Sequence, residues 1–224
     1  MIYSKVIKRG LDFILALIGL MVAAIPMGLV AIAIKLDSKG SVIFKQDRLG
    51  YNGAVYKMYK FRSMCVGAEK KGVYSDRSDT RITKVGKFIR MTSIDELPQL
   101  INVLKGDMAL IGFRSPLTYH PWPWNEYTEE QKKMFHVRPG ITGWAQIHGR
   151  KTVEWNKRIE LNVWYAEHVS FWLDLKILLM TVFKVLVNAD NENTGETVKK
   201  QENLLVSEEG KTNAVKTYVH NKLP

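Results

Sequence analysis

Met91-Thr-Ser-Ile-Asp95-Glu96-Leu-Pro98-Gln-Leu-Ile-Asn-Val-Leu-Lys-Gly106-Asp107 organises this chain, because it sets two adjacent carboxylates at the entrance of a helix. Leu97, Leu100, Ile101 and Leu104 recur at helical spacing, Pro98 fits only within a first turn, and Gly106 stands where helices commonly stop. Asp95 and Glu96 are therefore expected at or beside the N-cap, where backbone amides and the positive end of the helix dipole favour their ionised forms. Two ionised, closely spaced carboxylates make a hard-oxygen site for a divalent cation, Mg²⁺ above all, and one of them could instead be a nucleophile. The plainer alternative makes Ser93 and Glu96 a capping box and Asp95 a surface acid.

The rest of the composition says where such a site would work. A chain of 224 residues can bury a core of its own, so one domain plus an appendage is the default expectation. With 33 Lys+Arg against 22 Asp+Glu and a net charge of +11, an anionic partner is favoured: phosphate, nucleotide, nucleic acid or an acidic membrane face. Cys65 is the single cysteine, which excludes an intrachain disulfide and reads as a small buried side chain.

Upstream, Leu11 to Ile34 is an apolar run of about 24 residues, long enough to reach across a bilayer and too long for a cleavable signal peptide. Membrane attachment follows from that run alone. Lys5, Lys8 and Arg9 precede it and Lys35 and Lys39 follow it, so the positive-inside rule assigns no orientation. Pro26 lies near the middle, where it removes a backbone donor and clashes with the preceding turn. Two arrangements suit these features: a kinked helix that spans, or a helix-break-helix that enters and returns to the same face.

Past the membrane run the pattern turns to alternation. Ser41 to Leu49 and Ala54 to Arg62 read as strands joined through Gly50-Tyr-Asn52-Gly53, a β-hairpin. Lys57, Lys60 and Arg62 make the second strand cationic, either to line a phosphate site or as a solvated edge that resists aggregation. Glu69 to Asp79 reads as a mobile loop. Arg81, Lys84, Lys87 and Arg90 then lead into the carboxylate pair.

Downstream, Gly112-Phe-Arg114-Ser-Pro116 holds an arginine in a tight loop able to present a bidentate fork to phosphate. Tyr119-His-Pro-Trp122-Pro-Trp124 is a rigid aromatic segment suited either to lipid headgroups or to packing on the domain. Val137-Arg138-Pro-Gly140-Ile-Thr-Gly143-Trp-Ala-Gln-Ile-His-Gly149-Arg150 adds two arginines on a glycine-rich backbone that allows close approach of a ligand, although it is neither GxGxxG nor a Walker loop. His136 and His148 lack metal-ligand spacing and read as structural. Phe171 to Val187 is an apolar helix of about 17 residues with internal charges, which suits an interfacial or packed helix better than a second span. The polar stretch 188–224 reads as a poorly ordered tail.

Several ordered stretches together resemble one family. Lys8-Arg9 through Asp12, Lys60-Phe-Arg-Ser-Met64, Ser93-Ile-Asp-Glu-Leu-Pro-Gln-Leu100, Asn102-Val-Leu-Lys-Gly-Asp107, Val137 to Gln146 and Trp172-Leu-Asp-Leu-Lys176 are similar to the bacterial sugar transferases, the small monotopic phosphoglycosyl transferases that begin glycan assembly on a polyprenol carrier. The resemblance implies an α/β (α+β) protein. Its parts are a re-entrant membrane helix-break-helix at 1–36, a small catalytic domain with a β-hairpin and interfacial amphipathic helices at 37–187, and the tail at 188–224. It also implies the bacterial inner membrane, with the catalytic domain on the cytoplasmic face.

By the same resemblance Asp95 and Glu96 are the catalytic dyad and hold Mg²⁺, with Asp95 as nucleophile. Asp95 would attack the β-phosphate of a UDP-sugar, release UMP, and pass the phosphosugar to polyprenol phosphate, giving a polyprenyl diphosphate sugar. Lys60, Arg62, Arg90, Arg114, Arg138 and Arg150 are the candidate substrate-binding cations, Arg138 with a mainly structural alternative. Pro26 marks the membrane break. Two departures stand out: the family's Ser-Pro at that break is Ile25-Pro26 here, and its Gly-Pro-Arg-Pro is Gly112-Phe-Arg114-Ser. Membrane lipid is an expected partner, nucleic acid is not, and the apolar surface is compatible with a homodimer. The rival classes are a metal-dependent lipid phosphatase, a membrane-tethered nucleic-acid binder and a non-catalytic basic membrane scaffold. The binder leaves the apolar run and the dyad unexplained.

Overall fold

The computed structural model describes residues 3–72, 79–149 and 153–186. The expected tail, Arg150 and most of the expected mobile loop lie outside the described residues. Among the described residues seven α-helices and four strands follow in the order α1 (Lys8–Asp37), β1 (Ile43–Leu49), β2 (Val55–Phe61), α2 (Lys84–Met91), α3 (Gln99–Lys105), β3 (Ala109–Ile111), α4 (Glu129–Lys132), β4 (Gly140–Thr142), α5 (Trp144–Ile147), α6 (Trp155–Glu167) and α7 (Phe171–Leu186).

The apolar run is one helix of 30 residues, the one described helix long and apolar enough to cross a membrane. Ile25 and Pro26 both lie inside it, so the two halves expected on either side of Pro26 belong to a single helical element. One stripe faces the domain. Ala16 and Leu20 pack with Leu100 and Val103 of α3, while Met27, Val30, Ala31 and Ile34 pack with Ile89 of α2 and Phe61 of β2. Much of the remaining surface is exposed and apolar, including Ile14, Ile18, Met21, Val22, Ile25, Leu29 and Ile32. Outside a bilayer so much exposed apolar area would favour aggregation or a partner.

Both ends of α1 are tied to the same domain by polar contacts. At its start the Lys8 ammonium donates to Asp174 of α7 at 2.7 Å, Arg9 donates to the Val103 carbonyl at 2.6 Å, and Asp12 accepts from the Leu110 amide at 3.1 Å. At its end Asp37 accepts from the Val85 amide at 3.0 Å, and the Arg62 guanidinium donates to the Ser38 carbonyl at 2.8 Å. Lys8 and Arg9 thus serve the domain rather than acting as free flanking charges.

β1 and β2 pair antiparallel with Phe44 opposite Lys60, and the turn between them puts Asn52 and Gly53 at positive φ. β3 and β4 form a short parallel pair for which the sequence carries no signal. Here the glycines act against backbone. A Cβ on Gly112 would meet the Arg138 carbonyl oxygen at 2.1 Å, and one on Gly143 would meet the Gly112 carbonyl oxygen at 1.8 Å. Gly112 and Gly143 therefore allow the β3 and β4 backbones to approach closely.

Trp122 and Trp124 pack with Tyr127, Phe135 and Phe113, so the aromatic segment joins the domain core, with Tyr119 exposed at its edge. Cys65 is exposed, contrary to the expected buried role; it lies past the end of β2, where its amide donates to the Arg81 carbonyl. α7 extends to Leu186 and leaves Trp172, Leu179, Val182 and Phe183 exposed, an apolar face to set beside that of α1.

Candidate active site

Asp95 and Glu96 sit one turn before α3, in a 3-10 turn spanning Ile94–Glu96 that Ser93 enters at a φ of 59°. Pro98 is the N-cap of α3 and Gly106 closes it in the left-handed conformation. The capping-box alternative fails here. Ser93 makes no side-chain cap bond, and the Glu96 carboxylate turns away toward β2 and the loop after β3.

Glu96 is clamped. Its Oε1 accepts from Lys60 at 2.8 Å and from Arg114 at 3.0 Å, while Oε2 has only a long contact to Arg114 at 3.5 Å. Burial works to raise its pKa, but Arg114 and Lys60 outweigh burial and hold the carboxyl well below the usual range. Asp95 is the opposite case. Among the described residues its carboxylate forms no hydrogen bond or ion pair, and burial, reinforced by the charge of Glu96, raises its pKa against the pull of Lys60 and Arg90. Burial also lowers the pKa of Lys60, with Glu96 opposing, while Glu96 raises that of Arg114. One acid is locked and ionised; its neighbour is unengaged.

Three elements bring this cluster together. Lys60 comes from β2, held to α3 through Asn102, which is fully buried: its amide oxygen accepts from the Tyr59 amide at 2.9 Å and its Nδ2 donates to the Lys57 carbonyl at 2.8 Å. Arg114 follows β3. Arg90 ends α2, donates to the Ser63 hydroxyl at 2.8 Å, and exerts its charge on Asp95.

The other expected cations do different work. Arg62, 6% exposed, donates to the Ser38 carbonyl at the end of α1, and Arg138 donates to the Gly106 carbonyl at 2.9 Å and lies over Tyr51, so both guanidiniums engage backbone at helix C-termini. The physical reason is that helix C-termini present unpaired carbonyls that attract cations. Arg150 falls outside the described residues, and Pro26 lies within α1.

Sequence reading missed Arg48 and Gln99. Arg48 donates to the Ser115 carbonyl at 2.9 Å, and burial, with Arg114 nearby, brings its pKa down to about 10. Arg48, Gln99, Arg114 and Ser115 line one small cleft, in which the buried Gln99 Nε2 has no hydrogen-bond partner among the described residues. Arg48 alternates with Gln46 on one face of β1, and that polar pair was the available signal.

No group of three or more His, Cys, Asp or Glu side chains capable of holding a metal occurs among the described residues. Asp95 and Glu96 supply carboxylate oxygens, the donor type Mg²⁺ takes, and Mg²⁺ commonly uses one or two protein carboxylates and completes its shell with water and substrate phosphate.

The bacterial sugar transferase family model matches residues 3–188. Similar proteins include an uncharacterized sugar transferase, EpsL, of Bacillus subtilis strain 168, 43% identical over 196 residues covering 88% of this chain and 95% of that protein. They also include the UDP-glucose:undecaprenyl-phosphate glucose-1-phosphate transferase of Escherichia coli K12, 42% identical over 191 residues, 83% of this chain and 41% of that one. A third is the UDP-N-acetylgalactosamine-undecaprenyl-phosphate N-acetylgalactosaminephosphotransferase of Aeromonas hydrophila, 40% identical over 184 residues, 80% of this chain and 44% of that one. The chain spans nearly all of the first relative and less than half the length of the other two.

Proposed function

The chain belongs to the bacterial sugar transferases, and we propose that it moves a phosphosugar from a UDP-sugar to polyprenol phosphate, most simply undecaprenyl phosphate. The observation that carries this reading is the split between the two acids. Glu96 is fixed by Lys60 and Arg114, whereas Asp95 presents an unengaged carboxylate beside the same cations.

Asp95 attacks the β-phosphorus of the donor. A carboxylate oxygen to phosphorus bond forms, the bond from that phosphorus to the bridging oxygen breaks, and UMP carries the electron pair away. An oxygen of polyprenol phosphate then attacks the same phosphorus and frees Asp95, leaving polyprenyl diphosphate sugar. Two steps spare the site from holding both bulky substrates at once. Lys60, Arg114 and Arg90 stabilise negative charge on the phosphoryl oxygens, and Glu96 fixes the first two in place. Mg²⁺, which the carboxylates of Asp95 and Glu96 would hold, would supply further neutralisation of the diphosphate.

The contacts of α1 support a re-entrant arrangement, and the cytoplasmic face of the bacterial inner membrane is the location that goes with the proposed reaction. A helix whose two ends both bind one domain, through Lys8 and Arg9 at one end and Asp37 at the other, returns the chain to the side it came from. The exposed apolar faces of α1 and α7 then meet lipid.

The test is UMP release from a panel of UDP-sugars by detergent-solubilised protein with Mg²⁺ and undecaprenyl phosphate. Release from one donor, absent in Asp95→Asn, with a phosphosugar recovered on the wild-type protein when acceptor is omitted, is the expected result. Free phosphate in place of UMP would overturn the reading in favour of a phosphatase.

A further inference from the structure

Between α1 and α2 lies an open apolar groove of about 460 Å³, within the size range of small-ligand sites. Leu29, Val30 and Ala33 wall it on α1, and Val85, Phe88 and Ile89 wall it on α2, with Lys84 at the start of α2. On each helix the residues share one face by their spacing, so two apolar stripes meet as a cleft. Leu29 is 64% and Phe88 53% exposed, and no described residue covers either.

Where the groove leads says what would occupy it. Val30, Val85 and Ile89 belong to a cluster that also includes Ile94, the residue immediately before Asp95. Arg90 follows Ile89 at the end of α2, on a different face from Phe88, and its charge acts on Asp95. α2 carries Lys84, Lys87 and Arg90 and no acid, so its net charge complements a phosphate. One wall is the membrane helix itself, so an occupant enters from lipid and not from water. A single apolar chain with a phosphate at one end matches both halves of this surface: hydrocarbon against the groove, phosphate toward Arg90.

We propose that the groove binds the isoprenoid chain of the polyprenyl phosphate acceptor and guides its phosphate along α2 toward Asp95. This rests on the transferase reading above. The groove matters only for the second step, in which the acceptor attacks; donor binding and UMP release take place at Asp95 without it.

The experiment uses the full chain in detergent and a series of acceptors from dimethylallyl through geranyl and farnesyl to undecaprenyl phosphate. Phe88→Ala empties one wall and Ala33→Phe fills the cleft, and the burst of UMP released without acceptor counts the active molecules in each preparation. In wild type KM falls as the chain lengthens; in Phe88→Ala the gain between dimethylallyl and farnesyl phosphate shrinks about tenfold, the effect of losing one aromatic contact to the bound chain, and in Ala33→Phe it shrinks by about as much because the cleft is filled. An unchanged dependence on chain length in both variants, with burst and transfer intact, would overturn the groove and leave the transferase reading standing. A wild type that gives neither burst nor transfer overturns both. A farnesyl phosphate carrying a diazirine supplies a second measure on the wild-type protein. Labelling within 29–33 or 84–89 that undecaprenyl phosphate competes and phosphatidylglycerol does not supports the site, whereas equal competition by phosphatidylglycerol reduces it to a lipid contact.

Discussion

Replacing Glu96 by glutamine tests the central electrostatic argument, because it removes one charge and almost no volume. The carboxylate holds Lys60 at 2.8 Å and Arg114 at 3.0 Å, and the side chains of Glu96 and Lys60 are only 15% and 17% exposed. Breaking a buried ion pair from one side costs about 3–5 kcal/mol. Arg114 is 37% exposed and regains water, which reduces the expected loss to about 2–3 kcal/mol. At about 2–4 °C per kcal/mol for a chain of this size, the midpoint of thermal unfolding falls by roughly 5–10 °C. The sign with pH follows from linkage. The folded pKa of Glu96 lies below its ordinary 4.5, so its contribution is present above that value and is lost as pH falls through the lower folded value. The gap between wild type and Glu96→Gln is therefore full at neutral pH and closes only in strong acid. Activity carries a second signal. Glu96 is among the groups that raise the pKa of Asp95, so the acid limb of UMP release moves to lower pH in the variant while the maximal rate falls. An unfolding midpoint within a degree of wild type together with an unmoved acid limb would refute the clamp.

Asp95→Asn provides the contrast. Asp95 is held above its usual pKa by burial, so its ionised form is disfavoured in the folded protein and its replacement relieves that cost. The variant should match or exceed wild type in thermal stability while releasing no UMP in a phosphosugar-forming burst. A loss of stability as large as that of Glu96→Gln would make Asp95 a structural acid.

Three further outcomes follow from other contacts. Asp174→Asn weakens a 4% exposed carboxylate that receives Lys8 and Tyr3 at 2.7 Å and Tyr165 at 2.6 Å, so it should cost about 3 kcal/mol and expose the start of α1 to limited proteolysis. Gly86→Ala should destabilise by about 2 kcal/mol, seen in denaturant unfolding, even though alanine favours helix by about 1 kcal/mol, because the new Cβ would lie 2.0 Å from the Ser63 carbonyl oxygen. Removal of Mg²⁺ with chelator should abolish UMP release and readdition should restore it; full activity in chelator would remove the metal from the scheme.

The sequence made local features legible and left their partners hidden. α1 could be read from its apolar length, β1 and β2 from alternation, and the end of α3 from Gly106, because each signal lies within one turn or one strand of what it specifies. The Asp95-Glu96 pair was visible for the same reason. Which acid is clamped was not, since Lys60 and Arg114 come from segments 36 and 18 residues away. The β3 and β4 pair escaped notice because strands of three residues joined in parallel show no alternation to read. Cations were hardest to assign. Arg62 and Arg138 look in sequence like phosphate ligands, yet Arg62 closes α1, and Arg138 joins Arg9 in closing α3. A guanidinium is recruited equally well by a helix C-terminus and by a phosphate, and only the fold says which is nearby. Once those three are assigned to helix ends, Lys60, Arg90 and Arg114 remain around the dyad, two of them on Glu96 and one beside Asp95. Under the transferase proposal these three cations are the counter-charge an incoming diphosphate would meet, and the unengaged carboxylate of Asp95 is its nucleophile.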